Sequence, residues 1–223
     1  MATYPFPITG PKVHPPLLRA DTLSRPRLNG WLDRAVTGRV VLVIAEAGFG
    51  KTTLLADWAS KSGRRTAWYR LEPDDRDWLV FLRHLVAAGR EIDPDFGTET
   101  LDLILGLGAG GPTQADVIAS VIREYGEFAN RHPEGLTLIV DDHHVIDGSE
   151  ETDRILRTLI DRTGDGFSIV IASRAAPRLK LGGLRSRGGL SRLDGADLRF
   201  DTLETDALFR EAYQRPLEPD VVE

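Results

Sequence analysis

The passage from residue 40 to residue 53 constrains the fold more than any other part of the chain. Residues 40–45 read VVLVIA and are apolar at every position, which is typical of a strand covered on both faces. Gly48 and Gly50 follow, and a helical pattern then occupies residues 52–61. A strand that passes through a short glycine-containing loop into a helix is the repeating unit of α/β folds. The segment therefore predicts an α/β domain.

The rest of the chain repeats this alternation. Strand-like runs occupy residues 66–71, 136–140 and 167–172, and helical spacing predicts helices over residues 77–88, 113–130, around 155–160 and over 202–213. Glycine and proline interrupt the pattern at residues 106–112 and 177–189, which predicts loops there. We therefore expect a mainly parallel sheet flanked by helices on both faces, in three layers.

Composition excludes several classes of function. The formal net charge of −6 opposes contact with phosphate backbones, so we expect no DNA binding by this chain. The absence of cysteine excludes disulfides and thiolate metal sites. The longest apolar run is far shorter than the ~20 residues that a membrane-spanning helix needs, and the opening residues do not form a signal peptide. These features predict a cytoplasmic protein with no membrane contact.

The loop after the first strand reads AEAGFGKTT and predicts a phosphate site. Glycines let successive backbone N–H groups surround phosphate oxygens, and the N-terminus of the following helix adds positive potential. Lys51 would contact the β- and γ-phosphates, Thr52 would bind Mg²⁺, and Thr53 would reach the α-phosphate. The strict motif has glycine where this chain has Ala45, and a glycine-rich turn with an incidental lysine is the alternative. The predicted nucleotide-binding residues are Ala47, Gly48, Phe49, Gly50, Lys51, Thr52 and Thr53.

Two adjacent acids follow the strand-like run LTLIV. A carboxylate at such a strand end holds Mg²⁺ opposite the phosphate loop in this class of site, which makes Asp141 the predicted metal ligand together with Thr52. Asp142 would act as a general base on the attacking water, although a turn or helix-cap aspartate explains the residue equally well.

Arg174 follows the third apolar run, at the sheet edge where ligands bind in open α/β folds. It is the third predicted catalytic residue, beside Lys51 and Asp142, because its guanidinium would reach the γ-phosphate. A surface arginine just past a strand is the alternative. His143 and His144 are predicted to be structural, since adjacent side chains diverge and no cysteine or further histidine cluster lies nearby.

Several stretches together resemble the ATPase domain of the signal-transduction ATPases with numerous domains (STAND), and within that class the MalT-like and large LuxR-type regulators. They are PPLL, LSRPRL, AEAGFGKTTLLADW, TAWYRLEPDD, LTLIVDDHHVI, IVIASR and GLSRLDGADLRFDTLE. The resemblance covers nearly the whole chain. It implies a P-loop fold with five strands, in which the strand ending at Arg174 lies between the P-loop strand and the strand ending at Asp141.

The resemblance also implies a function: ATP binding drives self-association of the full-length protein, and hydrolysis resets the switch. We expect a slow Mg²⁺-dependent ATPase with ATP or ADP as ligand; the alternative is a clamp that holds nucleotide without hydrolysing it, and a metabolic P-loop kinase ranks third. The predicted divisions are an N-terminal arm at residues 1–24, a nucleotide-binding domain at 25–215 and the start of a linker at 216–223. Sensor repeats and a DNA-binding helix-turn-helix, usual in this class, are not recognisable in the sequence.

Overall fold

A five-stranded parallel sheet organises the computed structural model, which describes residues 10–186 and 188–213. The strands are β1 (Val40–Ile44), β2 (Arg65–Arg70), β3 (Leu136–Asp141), β4 (Phe167–Ser173) and β5 (Leu190–Asp194). Their order across the sheet is β2-β3-β4-β1-β5, and every neighbouring pair is parallel. The predicted fold class is confirmed, including the position of β4 between β1 and β3.

Helices cover both faces of the sheet. The described residues contain α1 (Pro26–Ala35), α2 (Lys51–Lys61), α3 (Trp78–Arg90), α4 (Thr98–Leu105), α5 (Gln114–Arg131), α6 (Glu150–Arg162), α7 (Gly182–Arg185) and α8 (Thr202–Tyr213). One hydrophobic cluster joins the sheet to α3, α4, α5 and α6, and a second joins the opposite face to α1 and α2. All residues of β1, β3 and β4 are buried, which explains why these strands are continuously apolar rather than alternating.

Local sequence determines where the longer helices begin. Thr113 caps α5 by accepting a hydrogen bond from the backbone N–H of Asp116, whose carboxylate accepts one from the N–H of Thr113. This is a capping box with Asp in place of the usual Glu. Asp77 caps α3 in a similar way, because its side chain accepts hydrogen bonds from the N–H groups of Leu79 and Val80.

Three helices were not predicted. Helix α1 contains Pro26 and Gly30, two residues that weaken a helical pattern in sequence, yet Leu28 and Leu32 bury its inner face. Helix α4 is a separate eight-residue helix before the glycine-rich loop. Helix α7 corrects the prediction of a loop over residues 177–189: one turn forms there, closed by the hydrogen bond from the N–H of Arg185 to the carbonyl of Leu181.

The described part of the predicted N-terminal arm packs against the domain. Lys12 is 4% exposed and binds the carboxylate of Asp75 at 3.2 Å, while Val13 joins the hydrophobic cluster under α3. Lys12 and Val13 therefore contact the domain, although the boundary at residue 24 remains a prediction. Residues 1–9, Arg187 and the predicted linker at 216–223 lie outside the described residues.

None of the helices in residues 10–186 and 188–213 has the length and apolarity needed to cross a membrane.

Candidate nucleotide-binding site

The loop between β1 and α2 requires glycine at two positions. Gly48 has a φ of +86° and Gly50 a φ of +74°, a backbone conformation that glycine adopts far more readily than other residues. A Cβ added at either position would meet no atom within 4 Å, so conformation rather than crowding demands glycine. Residues 46–50 are exposed. The loop therefore presents its backbone to solvent directly before the N-terminus of α2, as a phosphate-binding loop requires.

Lys51 lies under this loop rather than outside it. Its Nζ donates hydrogen bonds to the carbonyls of Ala45 at 2.6 Å and Glu46 at 3.0 Å, and the residue is only 8% exposed. Burial lowers the pKa of Lys51, while the negative charges of Asp141 and Asp142 act in the opposite direction. The ammonium thus lies within electrostatic reach of both acids that sequence reasoning assigned to this site.

Thr52 and Asp141 are in direct contact. The hydroxyl of Thr52, at the start of α2, donates a hydrogen bond of 2.8 Å to Oδ2 of Asp141, at the end of β3. Asp141 is fully buried; burial raises its pKa, and the hydrogen bond from Thr52 partly offsets this effect.

A hydroxyl and a carboxylate at this separation suit Mg²⁺, which binds oxygen ligands and takes one or two from protein when phosphates and water supply the others. No group of three or more His, Cys, Asp or Glu residues suited to a metal occurs among residues 10–186 and 188–213. The Thr52–Asp141 pair therefore does not resemble a site in which protein side chains supply all the ligands of a metal.

Asp142 has two unusual features. It is the one described residue other than glycine with a positive φ, at +57°, and its side chain forms no cap hydrogen bond although a short 3-10 helix starts after it. Its Oδ2 instead accepts a hydrogen bond of 3.1 Å from Nε of Arg70, the last residue of β2. Asp142 therefore does not cap the short helix, which sequence alone left as an alternative. It contacts Arg70 instead, a partner that the sequence did not suggest.

Arg174, His143 and His144 differ in their surroundings. Arg174 follows β4 and is exposed, and its positive charge contributes to lowering the pKa of Lys51, where burial is the main cause. The histidine rings face different carboxylates: Nε2 of buried His143 lies 3.5 Å from Asp153, whereas Nδ1 of His144 lies 3.9 Å from Asp142.

A cavity of about 620 Å³ adjoins the loop on the side of α2. Three stretches of chain form it: the segment before α1, the loop with the start of α2, and the segment that leads into α8. Their lining residues include Arg19, Thr22, Arg25, Gly48, Phe49, Thr53, Asp57, Leu198, Phe200 and Leu208. A cavity of this size suits a small organic ligand. Sequence reasoning assigned only the loop and Thr53 to ligand binding; the other two stretches include parts of LSRPRL and GLSRLDGADLRFDTLE, which contributed to the family resemblance but received no binding role.

Arg25 connects the two outer stretches of this cavity. Its guanidinium donates hydrogen bonds of 2.8 Å to the carbonyls of Leu198 and Arg199 and pairs with the carboxylate of Glu204 at 2.8 Å. The guanidinium also lies 4.6 Å from the ring centroid of Phe200. Burial acts to raise the pKa of Glu204, but hydrogen bonds, chiefly from Arg25, lower it overall. This buried pair fastens the start of α8 to the segment before α1.

Asp57 holds the same N-terminal segment to α2. Its Oδ2 accepts hydrogen bonds of 2.8 Å from Ser24 and from Asn29, and its Oδ1 pairs with Lys61. Burial acts to raise the pKa of Asp57, and the three hydrogen bonds lower it overall. The cavity wall formed by residues 19–25 is therefore fixed on both sides.

Comparisons with known proteins agree with this geometry. No protein-family model matches the chain. The serine/threonine-protein kinase PknK of Mycobacterium tuberculosis is 32% identical over 213 residues, a match that covers 94% of this chain and 18% of PknK. The HTH-type transcriptional regulator MalT of Vibrio parahaemolyticus is 28% identical over 202 residues, which cover 90% of this chain and 21% of MalT. The chain thus spans about a fifth of the length of the curated relatives it matches.

A solved structure shares the fold. It is the STAND protein with a tetratricopeptide repeat sensor, PH0952, from Pyrococcus horikoshii, with a TM-score of 0.59 and 20% sequence identity. The match covers 90% of this chain and 27% of that protein. The chain is thus similar in sequence to MalT and PknK and similar in fold to a STAND protein, in agreement with the predicted resemblance to MalT-like P-loop domains of that class.

Proposed function

We propose that this chain binds ATP or ADP with Mg²⁺ and hydrolyses ATP slowly, as the nucleotide switch of a bacterial signal-transduction transcriptional regulator. One observation carries the proposal: the hydroxyl of Thr52 and the buried carboxylate of Asp141 meet at 2.8 Å beside Lys51, at the mouth of a glycine loop. A loop, a lysine and an oxygen pair in this arrangement form a site for a nucleotide phosphate chain and its cation.

The phosphates would lie along the loop from Ala47 to Gly50. Backbone N–H groups there would donate to phosphate oxygens, and Lys51 would exchange its two loop carbonyls for the β- and γ-phosphates. Thr53 lines the adjoining cavity and would contact the α-phosphate. Thr52 and Asp141 would hold Mg²⁺, which supplies charge neutralisation of the phosphate chain.

The nucleoside would occupy the cavity of about 620 Å³ next to the loop. Phe49 and Phe200 line this cavity and are 37% and 47% exposed, which is unusual for large aromatic side chains and leaves their rings available to a flat, apolar base. Arg25, held between Phe200 and Glu204, would orient this part of the site. Because the cavity and the loop are continuous, one nucleotide would contact both.

Hydrolysis would depend on Asp142 and Arg174. Asp142 would accept a proton from the attacking water, and Arg174 would contact the γ-phosphate from the end of β4. Both residues lie near Lys51, since their charges influence its pKa, for which burial is the largest cause. Turnover is proposed to be slow because Asp142 is engaged by Arg70 in this structure.

The same contact favours a second candidate function. If Asp142 never leaves Arg70, the chain would be a clamp that holds nucleotide without hydrolysing it. In either case the regulator named MalT suggests the setting of the whole protein, in which ATP-dependent self-association would be the output. We propose no DNA contact for this chain itself, given its net charge of −6.

Two measurements test the proposal. The nucleotide released from denatured purified protein would be identified by chromatography, and Mg²⁺-dependent binding of a fluorescent ATP analogue would be followed by titration. Recovered ADP, with binding that strengthens as Mg²⁺ is added, is the expected result. Binding without hydrolysis over many hours would favour the clamp, and no binding at all would refute both functions.

A further inference from the structure

We propose that Arg70 is a positioning residue that restrains Asp142, so that release of their contact limits ATP turnover. The inference rests on the proposed function, because it gives Asp142 the proton from the attacking water. It adds that Arg70 restrains Asp142 from β2, a strand that contributes no other group to the site.

Sheet order determines the direction of the restraint. Arg70 ends β2, pairs in register with Asp141 of β3, and therefore lies beside the start of the acid pair. Strand β2 is the edge strand on one side of β3, whereas β4 and β1, which carries the glycine loop, lie on the other side. The hydrogen bond of 3.1 Å from Nε of Arg70 to Oδ2 of Asp142 thus draws the carboxylate towards the outer edge and away from the loop.

The backbone of Asp142 supports a held arrangement. Its positive φ of 57° is a conformation that few residues other than glycine adopt. Its N–H donates to Oδ1 of Asp141 at 3.0 Å. The titratable groups near its carboxylate include Arg70 on β2, Lys51 on α2, the preceding Asp141 and His144 on the adjacent turn. Of these, Arg70 donates the hydrogen bond.

The chemical consequence follows from the hydrolysis step. The water oxygen bonds to the γ-phosphorus, the bond from that phosphorus to the bridging oxygen breaks with its electron pair left on ADP, and a water proton passes to Asp142. Arg70 bonds only to Oδ2, which leaves Oδ1 able to take a proton, but the contact holds the whole carboxylate towards β2, and the carboxylate must leave Arg70 to reach the attacking water. Turnover therefore includes the free energy of separating Arg70 from Asp142.

Exposure limits how large the effect is. The side chain of Arg70 is 60% exposed and that of Asp142 is 24% exposed, and ion pairs of this kind are weak in water. Removing the arginine should therefore raise the hydrolysis rate by about two- to fivefold, the factor that corresponds to a weak surface pair. Nucleotide affinity should stay nearly constant, because the phosphates contact the loop and α2.

The same strand supplies a matched control. Arg65 begins β2, is also exposed and pairs with Glu134 at 2.7 Å. It lies at the amino ends of the strands, whereas the candidate site lies at their carboxyl ends. Arg65→Ala and Arg70→Ala thus each remove one exposed arginine–carboxylate pair from the same strand. Single-turnover hydrolysis and binding of a fluorescent ATP analogue would be measured for wild type, both single variants, Asp142→Asn and the double variant Arg70→Ala/Asp142→Asn.

The expected result is faster hydrolysis in Arg70→Ala alone, with unchanged affinity and no gain when Asp142→Asn is also present. A double-mutant cycle on thermal unfolding without nucleotide gives a second readout, in which Arg70 and Asp142 should couple. Equal or slower hydrolysis in Arg70→Ala, or no hydrolysis in either protein despite normal binding, would overturn the inference. Failure of the wild type to bind nucleotide would instead overturn the proposed function on which it rests.

Discussion

The two halves of the candidate site are built in different ways. The phosphate half consists of residues 45–53, the end of β3 and Arg174 after β4, so that one loop, the first turn of α2 and two strand ends supply its groups. The nucleoside half joins stretches far apart in sequence, and its central pair, Arg25 and Glu204, is separated by 179 residues. The phosphate half is therefore built from a few short stretches next to strands of the sheet, whereas the nucleoside half depends on a contact between residues far apart in sequence.

This difference indicates that the two halves control different properties of nucleotide binding. The phosphate half cannot move without disturbing β1, β3 or α2, which the buried core holds in place. The nucleoside half can open if the start of α8 separates from Arg25 and Arg27, because both arginines pair with Glu204 and donate hydrogen bonds to backbone carbonyls of that segment. We therefore expect the phosphate half to set binding strength and the nucleoside half to set exchange rate and base preference.

Replacement of Lys51 should have the largest effect on binding. Lys51→Ala removes a charged donor to two phosphates, and charge-assisted hydrogen bonds of this kind account for roughly a hundredfold in affinity. The fold should survive, because Nζ contacts only the carbonyls of Ala45 and Glu46. Titration with a fluorescent ATP analogue measures the loss, and Lys180→Ala, an exposed lysine outside the loop, is the control. Unchanged affinity in Lys51→Ala would contradict the P-loop assignment.

The two acids should separate by function. Asp141→Ala should abolish the Mg²⁺ dependence of ATP binding and weaken it by about tenfold, the loss of one strong charged contact. Asp142→Asn should bind normally and lose turnover, since an amide cannot accept the water proton. Binding titrations with and without Mg²⁺, followed by single-turnover hydrolysis, distinguish the two. If Asp142→Asn hydrolyses ATP at the wild-type rate, a group other than Asp142 activates the water.

The same difference between the two halves explains which parts of the site could be predicted from the sequence. The parallel sheet was predictable, because three of its strands are buried and continuously apolar and helical patterns lie between them, whereas the place of β4 between β1 and β3 was implied only by the family resemblance. Every predicted phosphate-half residue lies within one stretch or directly after a strand, and the structure brings Lys51, Thr52 and Asp141 together. Their chemical roles remain predictions.

The nucleoside half could not be predicted in the same way. Arg25 precedes a helix whose pattern proline and glycine obscure, and no spacing rule connects it to Glu204. Arg70 was within reach of sequence reasoning: it ends the strand TAWYR, and the ends of parallel strands share one edge with Asp142. What sequence lacked was the order of strands, which places β2 next to β3.

Breaking the long-range pair should act mainly on exchange. Arg25→Met keeps part of the side-chain volume but leaves the buried carboxylate of Glu204 with the more exposed Arg27 as its remaining ion-pair partner, which should cost ~2 kcal/mol of folding stability. We expect release of a labelled ADP to accelerate by about tenfold while the association rate changes little. Stopped-flow release measures this rate, and thermal unfolding measures stability.

A second substitution separates these two effects. Arg25→Met combined with Glu204→Gln removes the carboxylate charge that has lost its buried partner and should recover part of the stability, but not the slow release. Slow release in the double variant would mean that Arg25 does not hold the cavity closed, and that the stability loss alone explains the single variant.

The smallest expected effect concerns the base, and it tests whether the two halves recognise different parts of one nucleotide. Phe200→Ala removes an aromatic ring from the cavity wall and should weaken ATP binding by about fivefold, the factor expected for loss of roughly 1 kcal/mol of stacking. Inorganic tripolyphosphate has no base, so its affinity should not change in Phe200→Ala, whereas Lys51→Ala should weaken both ligands. Leu203→Ala is the matched control, because Leu203 is an apolar residue of the same segment, is 81% exposed and does not line the cavity. Competition titrations of the four proteins with both ligands give the comparison. Equal losses for ATP and tripolyphosphate in Phe200→Ala would mean that the cavity supports the phosphate loop instead of binding the base, and the proposed separation between the two halves would be wrong.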